Sequence, residues 1–229
     1  MLLKLKQICN HPAQFQGTDD YAPERSGKFL RLQELCASIA ARQEKAILFT
    51  QFRSIIPHLH DLLSGVFGRS GLTLHGGTPI PERQNIVTAF QKESGPPFCI
   101  LSLKAAGTGL NLTRADHVIH LDRWWNPAVE EQATDRAYRI GQTRPVQVHR
   151  MITRGTVEER IADLLGRKRQ LADAVLARTP APTTYARIDL VEFDGAPALM
   201  EAELIEPELF LGATPEAATN FARVLAGMV

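Results

Sequence analysis

The feature that most constrains the fold of this chain is the alternation of short apolar segments with longer amphipathic segments. The apolar segments favour strands, and the segments between them have the apolar spacing of helices. The predicted strands lie at 46–52, 71–77, 97–103, 117–122 and 146–153, and the main predicted helices at 26–44, 52–67, 81–93 and 156–177. Such alternation predicts an α/β fold, in which helices cover both faces of a parallel sheet.

Charge is distributed unevenly along the chain. Up to Arg178 the sequence has 24 Lys and Arg against 17 Asp and Glu, whereas from Thr179 onward it has 2 against 8. Because the change falls at the proline-containing stretch ARTPAPTT, we predict a domain at 1–178 and an acidic tail at 179–229. A basic body is compatible with a polyanionic partner, but on charge alone an ordinary solvated surface is the preferred interpretation.

Composition and cysteine usage limit the compartment. Of 229 residues, 44% are hydrophobic and 22% are charged, as expected for a chain with a substantial core. There is no apolar run of membrane-spanning length and no signal-peptide pattern, so we expect no membrane partner. Cys9, Cys36 and Cys99 are widely spaced and odd in number, which suits reduced thiols. The predicted location is the cytoplasm, with nucleoid association if the source is prokaryotic.

Two segments that follow predicted strands could bind phosphate. In LSLKAAGTGLNLT, at 101–113, Gly107 and Gly109 allow close approach of the backbone to a ligand, and five polar side chains offer donors: Ser102, Lys104, Thr108, Asn111 and Thr113. A plain glycine turn is an equal alternative. In QATDRAYRIGQ, at 132–142, the spacings of four and three predict one helix face for Gln132, Arg136 and Arg139. Pairing of the arginines with Glu131 or Asp135 is the structural alternative.

Seven motifs in a fixed order resemble the Swi/Snf family of superfamily-two, helicase-like ATPases. They are LLKLKQICNHP, SGK, AILFTQF, LHGGTP, LSLKAAGTGLNLT, DRWWNPAVEEQATDRAYRIGQ and GTVEERI. They cover about residues 2–177 and are similar to the second RecA-like lobe of that motor. The resemblance implies a DNA-dependent ATP hydrolase that moves along double-stranded DNA.

The resemblance also implies roles for individual residues. Arg136 and Arg139 would be arginine fingers on the γ-phosphate of ATP, with Gln132 nearby. The ATP cleft would also contain Gly107, Gly109, Asn111 and Asp135. Residues expected to contact the DNA backbone are Gln51, His75, Ser102, Lys104 and Thr108.

The sequence lacks the other half of such an ATP site. The only Gly–Lys pair, Gly27–Lys28, is followed by Phe29 and has Ala22 where a P-loop needs its first glycine, and no acidic box follows a strand. ATP and Mg²⁺ would therefore be held mainly by a first RecA-like lobe, in the same or another chain. We expect half of a split or truncated motor that is inactive alone. The alternative is a non-catalytic DNA- or protein-binding module.

The acidic tail has a pattern of its own. Residues 185–211 predict two strands around an Asp194–Gly195 turn, and 215–228 predict a short helix. Residues 183–229 resemble the C-terminal end of ATP-grasp proteins, in which carboxylates at the positions of Asp189, Glu201 and Glu203 would help to hold Mg²⁺. The alternative is an acidic hairpin without a catalytic role. A gene fusion or misjoined gene would explain the change of charge.

The remaining candidate side chains indicate packing. His117 and His120 are three apart on a predicted strand, so their rings should face opposite ways. The other five histidines have no partner at metal-ligand spacing. Trp124 and Trp125 could stack on bases, but packing against the neighbouring helix is the preferred interpretation.

Overall fold

The computed structural model describes residues 2–106, 112–137, 145–176, 187–193 and 196–203. Two compact units are formed, residues 1–165 and 166–229. The helices are α1 (Leu2–Asn10), α2 (Pro12–Gln16), α3 (Gly27–Ala41), α4 (Ile56–Phe67), α5 (Ile80–Gln91), α6 (Leu103–Ala106), α7 (Pro127–Thr134) and α8 (Val157–Leu176). The strands are β1 (Ala46–Thr50), β2 (Leu72–Leu74), β3 (Phe98–Ser102), β4 (His117–His120), β5 (Gln147–Arg150), β6 (Arg187–Phe193) and β7 (Ala196–Glu203).

Strands β1 to β5 form one parallel sheet in the order β2-β3-β1-β4-β5. Strand β1 lies at the centre, and all five of its residues are buried. On one face of β1, Phe49 packs with Phe90 of α5, and on the other face Leu48 packs with Phe29 of α3. The prediction of a parallel sheet covered by helices on both faces is confirmed.

The observed elements differ from the predicted ones mainly at their ends. Residues 53–55 form a 3₁₀ turn, and α4 begins at Ile56, so Pro57 falls in the first turn, where a helix tolerates proline. Strand β2 covers only three residues at the edge of the sheet. Part of the segment predicted as a glycine-rich loop is helix α6. Helices α1 and α2, which the sequence pattern did not predict, precede the sheet.

The predicted hairpin of the acidic tail is confirmed as an antiparallel pair, β6 and β7. Its turn residues Asp194 and Gly195 and the predicted helix at 215–228 lie outside the described residues. The division into domains at residue 178 stays a prediction. None of the described helices is long and apolar enough to cross a membrane.

Candidate nucleotide and DNA interface

The carboxyl ends of the parallel strands form one edge of the sheet, which is where ligands bind in folds of this kind. The strand register pairs Thr50, the last residue of β1, with Ser102, the last residue of β3. Gln51 follows Thr50 directly. Two residues that were predicted to contact DNA, Gln51 and Ser102, therefore lie at the ends of adjacent strands.

Gln51 has an unsatisfied side chain at this edge. Its backbone N–H donates to Asp122 Oδ1 over 3.0 Å. Both polar atoms of its side-chain amide are buried and lack a hydrogen-bond partner within the described part of the chain. A buried amide without partners is costly, so Gln51 is an unsatisfied polar group at this edge of the sheet.

Ser102 and Lys104 mark the start of the predicted phosphate-binding segment. Ser102 is only 7% exposed, and Lys104 belongs to the short helix α6 that follows it. The Lys104 side chain lies outside the described part of the structure. Four members of the predicted segment lie outside the described residues: Gly107, Thr108, Gly109 and Asn111. Thr113 is described, and its Oγ1 accepts a hydrogen bond from Gln91 Nε2 over 3.2 Å.

The turn after β2 fixes the orientation of His75. Its ring Nδ1 accepts a hydrogen bond from the Gly77 N–H over 3.1 Å, and its own N–H donates to Thr78 Oγ1 over 3.1 Å. Arg53 lies beside this turn, and with His75 it lines a cleft of about 380 Å³. Since β3 separates β2 from β1, His75 and Gln51 lie two strands apart along the same edge.

The predicted arginine helix is shorter than its sequence pattern indicates. Helix α7 ends at Thr134, and residues 135–137 form a turn in which the Arg136 N–H bonds to the Ala133 carbonyl over 3.2 Å. Gln132 on α7 is exposed, whereas Arg136 is buried. The predicted continuation of the helix to Arg136 is therefore wrong, whereas a shared face for Gln132 and Arg136 stays a prediction. Arg139 lies outside the described residues.

Arg136 itself is 8% exposed. Its side-chain Nε is buried and has no hydrogen-bond partner among the residues described. Its carbonyl accepts a bond from the Leu112 N–H over 2.9 Å, which joins the turn to the end of the 101–113 segment. Asp135, a predicted cleft residue, is exposed in the same turn. The turn thus holds a buried arginine whose Nε donor is unsatisfied among the described residues.

A buried polar network, which sequence reasoning missed, lies behind these residues. Asp122 is fully buried and accepts from Thr50 Oγ1 over 2.6 Å and from Asn10 Nδ2 over 3.3 Å. Asn10 Oδ1 accepts from Lys28 Nζ over 3.1 Å, and Lys28 Nζ bonds to both carboxylate oxygens of Glu158 at 2.6 and 2.7 Å. In the sequence, the motifs ICNHP, SGK and GTVEERI contain the network residues Asn10, Lys28 and Glu158, and these motifs were the sign that could have pointed to the network.

Burial shifts the pKa values of Asp122, which belongs to this network, and of Lys6, a buried lysine of α1 close to it. Loss of water raises the pKa of Asp122, and the hydrogen bond from Thr50 opposes that shift. Loss of water lowers the pKa of Lys6, and the negative charges of Asp122 and Glu158 oppose that shift. Opposite charges and hydrogen bonds therefore offset part of the cost of burying these groups together.

The histidines of β4 do have opposite surroundings, as predicted. His120 stacks on Phe49, with the ring centroids 5.4 Å apart. His117 has its Nε2 2.8 Å from Glu44 Oε2 and its Nδ1 3.0 Å from His149 Nε2. The His117–His149 contact is not visible as a sequence spacing, because parallel pairing of β4 with β5 brings the two rings together. Within the described residues, no group of three or more His, Cys, Asp or Glu is placed to hold a metal ion.

The carboxylates proposed for Mg²⁺ in the acidic tail lie on the hairpin. The register of β6 and β7 pairs Asp189 with Glu201 and Arg187 with Glu203. Glu203 thus has a basic residue opposite it on the neighbouring strand. Magnesium binding by these carboxylates stays a prediction, as does the resemblance of this segment to ATP-grasp proteins.

Comparison with protein families identifies a match over the central part of the chain. The family model described as "Helicase conserved C-terminal domain" matches residues 27–141. These residues include the strand-end loops and the Arg136 turn described above. A protein of Bacillus subtilis named as an ATP-dependent helicase/translocase, YwqA, is 49% identical over 178 residues, which cover 77% of this chain and 19% of that protein.

A second relative is human "SWI/SNF-related matrix-associated actin-dependent regulator of chromatin subfamily A member 1". It is 38% identical over 185 residues, which cover 77% of this chain and 18% of the relative. The chain thus spans about a fifth of the length of these two curated relatives.

Solved structures from Sulfolobus solfataricus are also similar. The SWI2/SNF2 ATPase C-terminal domain matches with a TM-score of 0.61 and 37% identity, covering 76% of this chain and 70% of that one. The SWI2/SNF2 ATPase core in complex with double-stranded DNA matches with a TM-score of 0.64 and 41% identity, covering 77% of this chain and 36% of that one. The five-stranded parallel sheet described above is therefore the RecA-like sheet of these ATPase domains.

Proposed function

We propose that this chain, which belongs to the helicase C-terminal domain family of SWI2/SNF2-type ATPases, is the second motor lobe of an ATP-dependent translocase on double-stranded DNA. In that role it supplies arginine fingers to ATP and contacts to the DNA backbone. ATP and Mg²⁺ are held mainly by a first RecA-like lobe, in the same or another chain.

Arg136 carries the ATP half of the proposal. Its guanidinium is buried, and its Nε lacks a partner within the described residues. A phosphate oxygen fits such a donor because a guanidinium stays protonated and bonds to phosphate with fixed geometry. Phosphoryl transfer depends mainly on positioning and charge stabilisation, and an arginine from a neighbouring lobe can raise the rate by about 10³–10⁵.

The other proposed ATP-site residues rest on the family's motifs. Arg139 is the second finger, and Gln132 and Asp135 lie beside the cleft. Gly107, Gly109 and Asn111 complete the cleft on the side of this lobe. The bond between the Leu112 N–H and the Arg136 carbonyl supports this assignment, since it brings the end of the glycine segment to the arginine turn.

The DNA half of the proposal rests on the strand-end edge. Gln51 directly follows β1, and Ser102 is the last residue of the adjacent strand β3. His75 follows β2 on the same edge of the sheet. We assign them, with Lys104 and Thr108, to the sugar–phosphate backbone. Backbone contacts carry no sequence information, which suits movement along DNA of any sequence. The S. solfataricus core was solved with double-stranded DNA, and this is consistent with such a partner.

The ATPase half is tested with the chain alone and with the chain fused to a first lobe from a relative. The chain alone should show no DNA-stimulated ATP hydrolysis above background, and the fusion should hydrolyse ATP. Arg136→Ala and Arg139→Ala should each remove most of that turnover and leave ATP binding to the first lobe nearly unchanged, because fingers act on transition-state charge. Arg31→Ala, a change at an exposed arginine that pairs with Glu34, is the matched control.

Two outcomes would reject this proposal. One is robust hydrolysis by the chain alone, and the other is a fused motor that is indifferent to both finger substitutions. A fusion that binds DNA but never hydrolyses ATP would favour the alternative of a non-catalytic binding module.

DNA binding is tested by titrating the chain with duplexes of several sequences at increasing salt. Affinity should fall steeply with salt and be independent of sequence. Lys104→Ala should weaken binding about equally on every duplex. Binding that survives high salt, or that prefers one sequence strongly, would contradict the backbone-contact assignment.

A further inference from the structure

Helix α7 is held at its first turn by a buried carboxylate. Glu130 is 1% exposed. Its Oε1 accepts hydrogen bonds from Arg123 Nε over 2.9 Å and from the Trp124 N–H over 2.8 Å. Its Oε2 lies 3.6 Å from Arg150 Nε at the end of β5. One side chain therefore joins α7 to the segment after β4 and to the edge strand.

The arginine in this contact is itself fixed from α1. Lys6, which is fully buried, donates from Nζ to the Arg123 carbonyl. The same Nζ lies 5.8 Å from the ring centroid of Trp124 and 5.1 Å from that of Trp125, within the range of a cation–π contact. The Glu130 contact thus continues into the core instead of ending on a mobile surface side chain.

The last turn of α7 is held by a second contact. Thr134 Oγ1 donates to the Glu130 carbonyl over 2.9 Å and lies 3.0 Å from His120 Nε2. Because burial lowers the pKa of His120, its ring is neutral at physiological pH. We assign the ring proton to Nε2, which then donates to Thr134. Arg136 follows Thr134 by two residues.

We propose that Glu130 is a positioning residue for Arg136, and that it fixes α7 so that the guanidinium meets the phosphate acceptor of ATP. This inference rests on the proposed function of Arg136. A finger displaced by about 1 Å loses much of its effect on the rate. Loosening α7 should therefore lower turnover while the binding of ATP and DNA stays nearly constant.

The first test uses the chain as it stands. Hydrogen–deuterium exchange is measured for residues 127–134 in the wild type and in Glu130→Gln. We expect exchange in this helix to be at least about tenfold faster in Glu130→Gln, because the helix opens locally, with unchanged exchange in β1 and β3. The matched control is Glu82→Gln, since Glu82 is also in the first turn of its helix but is exposed.

The second test uses the fused motor. Glu130→Gln should lower kcat about 10- to 100-fold with KM for ATP and DNA affinity changed less than about twofold, as expected for loss of an interaction made in the transition state. Affinity for ADP–vanadate, which mimics the transferring phosphoryl group, should fall by a similar factor, whereas affinity for ADP should not. A purely structural defect would weaken both nucleotides or lower the fraction of folded protein.

Glu130→Gln leaves the buried Arg123 without its anionic partner and could unfold the chain. The double variant Arg123→Gln/Glu130→Gln removes both charges and keeps hydrogen-bonding groups at both positions. It should fold and show the same loss of kcat and of ADP–vanadate affinity.

The outcomes separate the two hypotheses. Unchanged exchange in folded Glu130→Gln, or normal kcat in a motor that Arg136→Ala inactivates, would overturn the positioning role. A motor that hydrolyses ATP normally with Arg136→Ala would instead overturn the proposed function, whatever the exchange of α7.

Discussion

Lys28 and Glu158 are 130 positions apart in the sequence, yet Lys28 Nζ lies 2.6 and 2.7 Å from the two carboxylate oxygens of Glu158. Their side chains are 2% and 0% exposed. The pair joins the first turn of α3 to the first turn of α8, and through Asn10 it reaches Asp122 at the end of β4. It is therefore part of the scaffold beneath the proposed DNA and ATP contacts.

Breaking this pair from one side should be strongly destabilising. Glu158→Gln leaves the buried Lys28 ammonium without an anion, and the cost is expected to be about 3–5 kcal/mol in the free energy of unfolding. The neighbouring variant Glu159→Gln changes an exposed carboxylate that accepts from the Gly155 N–H over 2.9 Å, and should cost less than about 1 kcal/mol. Urea unfolding followed by circular dichroism measures both. Equal effects would contradict the role of the buried pair.

Stability should fall with acid through His120. Burial lowers its pKa to about 4 in the folded chain, whereas the unfolded chain has the ordinary value near 6.5. The unfolded state therefore binds the extra proton first, and the free energy of unfolding decreases as the pH falls from 6.5 to 4. The loss from this group is on the order of 3 kcal/mol.

Urea midpoints between pH 7 and 4 check this dependence. His120→Gln should have a lower stability at pH 7 but a flatter pH profile, with about one proton less taken up on unfolding. His149, whose pKa is also lowered by burial, should contribute in the same direction. A profile as steep in His120→Gln as in the wild type would show that another group is responsible.

Two cysteines should resist alkylation in the native protein. Burial raises the pKa of the Cys36 and Cys99 thiols to about 12, so at neutral pH their thiolate fraction is about a thousandfold below that of an ordinary cysteine. Iodoacetamide labelling followed by mass spectrometry should modify both only after addition of denaturant. Rapid labelling of either in a Cys9→Ser variant under native conditions would contradict the buried placement.

Two glycines should respond oppositely to alanine. A Cβ on Gly95 would lie 2.2 Å from the Ala89 carbonyl oxygen, so Gly95→Ala should cost about 1–3 kcal/mol. A Cβ on Gly65, which is exposed in α4, would meet no atom within 4 Å, and Gly65→Ala should stabilise the chain by about 0.5–1 kcal/mol through helix propensity. Thermal unfolding of the two variants measures the difference, and a shift of the same sign in both would contradict the structure.

The sheet could be predicted from sequence because its signal is local. Strands β1 and β3 are short and mostly apolar, and a buried parallel strand needs little else. The end of α7 could not be predicted, because a bond from the distant Leu112 N–H to the Arg136 carbonyl accompanies the turn, and helical spacing alone continues the pattern past it. The helix propensity of a single segment carries no information about that long-range contact.

The polar network shows a different limit of sequence reasoning. Asn10, Lys28, Asp122 and Glu158 have charged or polar side chains that would ordinarily be placed on the surface. Their burial follows from mutual hydrogen bonding across separations of up to 130 residues. The motifs around them indicated the family, but no local spacing relates one residue to the next.

The Lys28–Glu158 pair also has a consequence during synthesis. A ribosome that adds about 5–20 residues per second needs roughly 6–26 s to make the 130 positions between the two residues. During that interval the first turn of α3 has been made but its anionic partner has not. The hydrophobic side of α3 can associate with β1 early, whereas the buried ammonium must stay hydrated until Glu158 has emerged from the exit tunnel. Formation of the Lys28–Glu158 pair is therefore a late event in the synthesis of this chain.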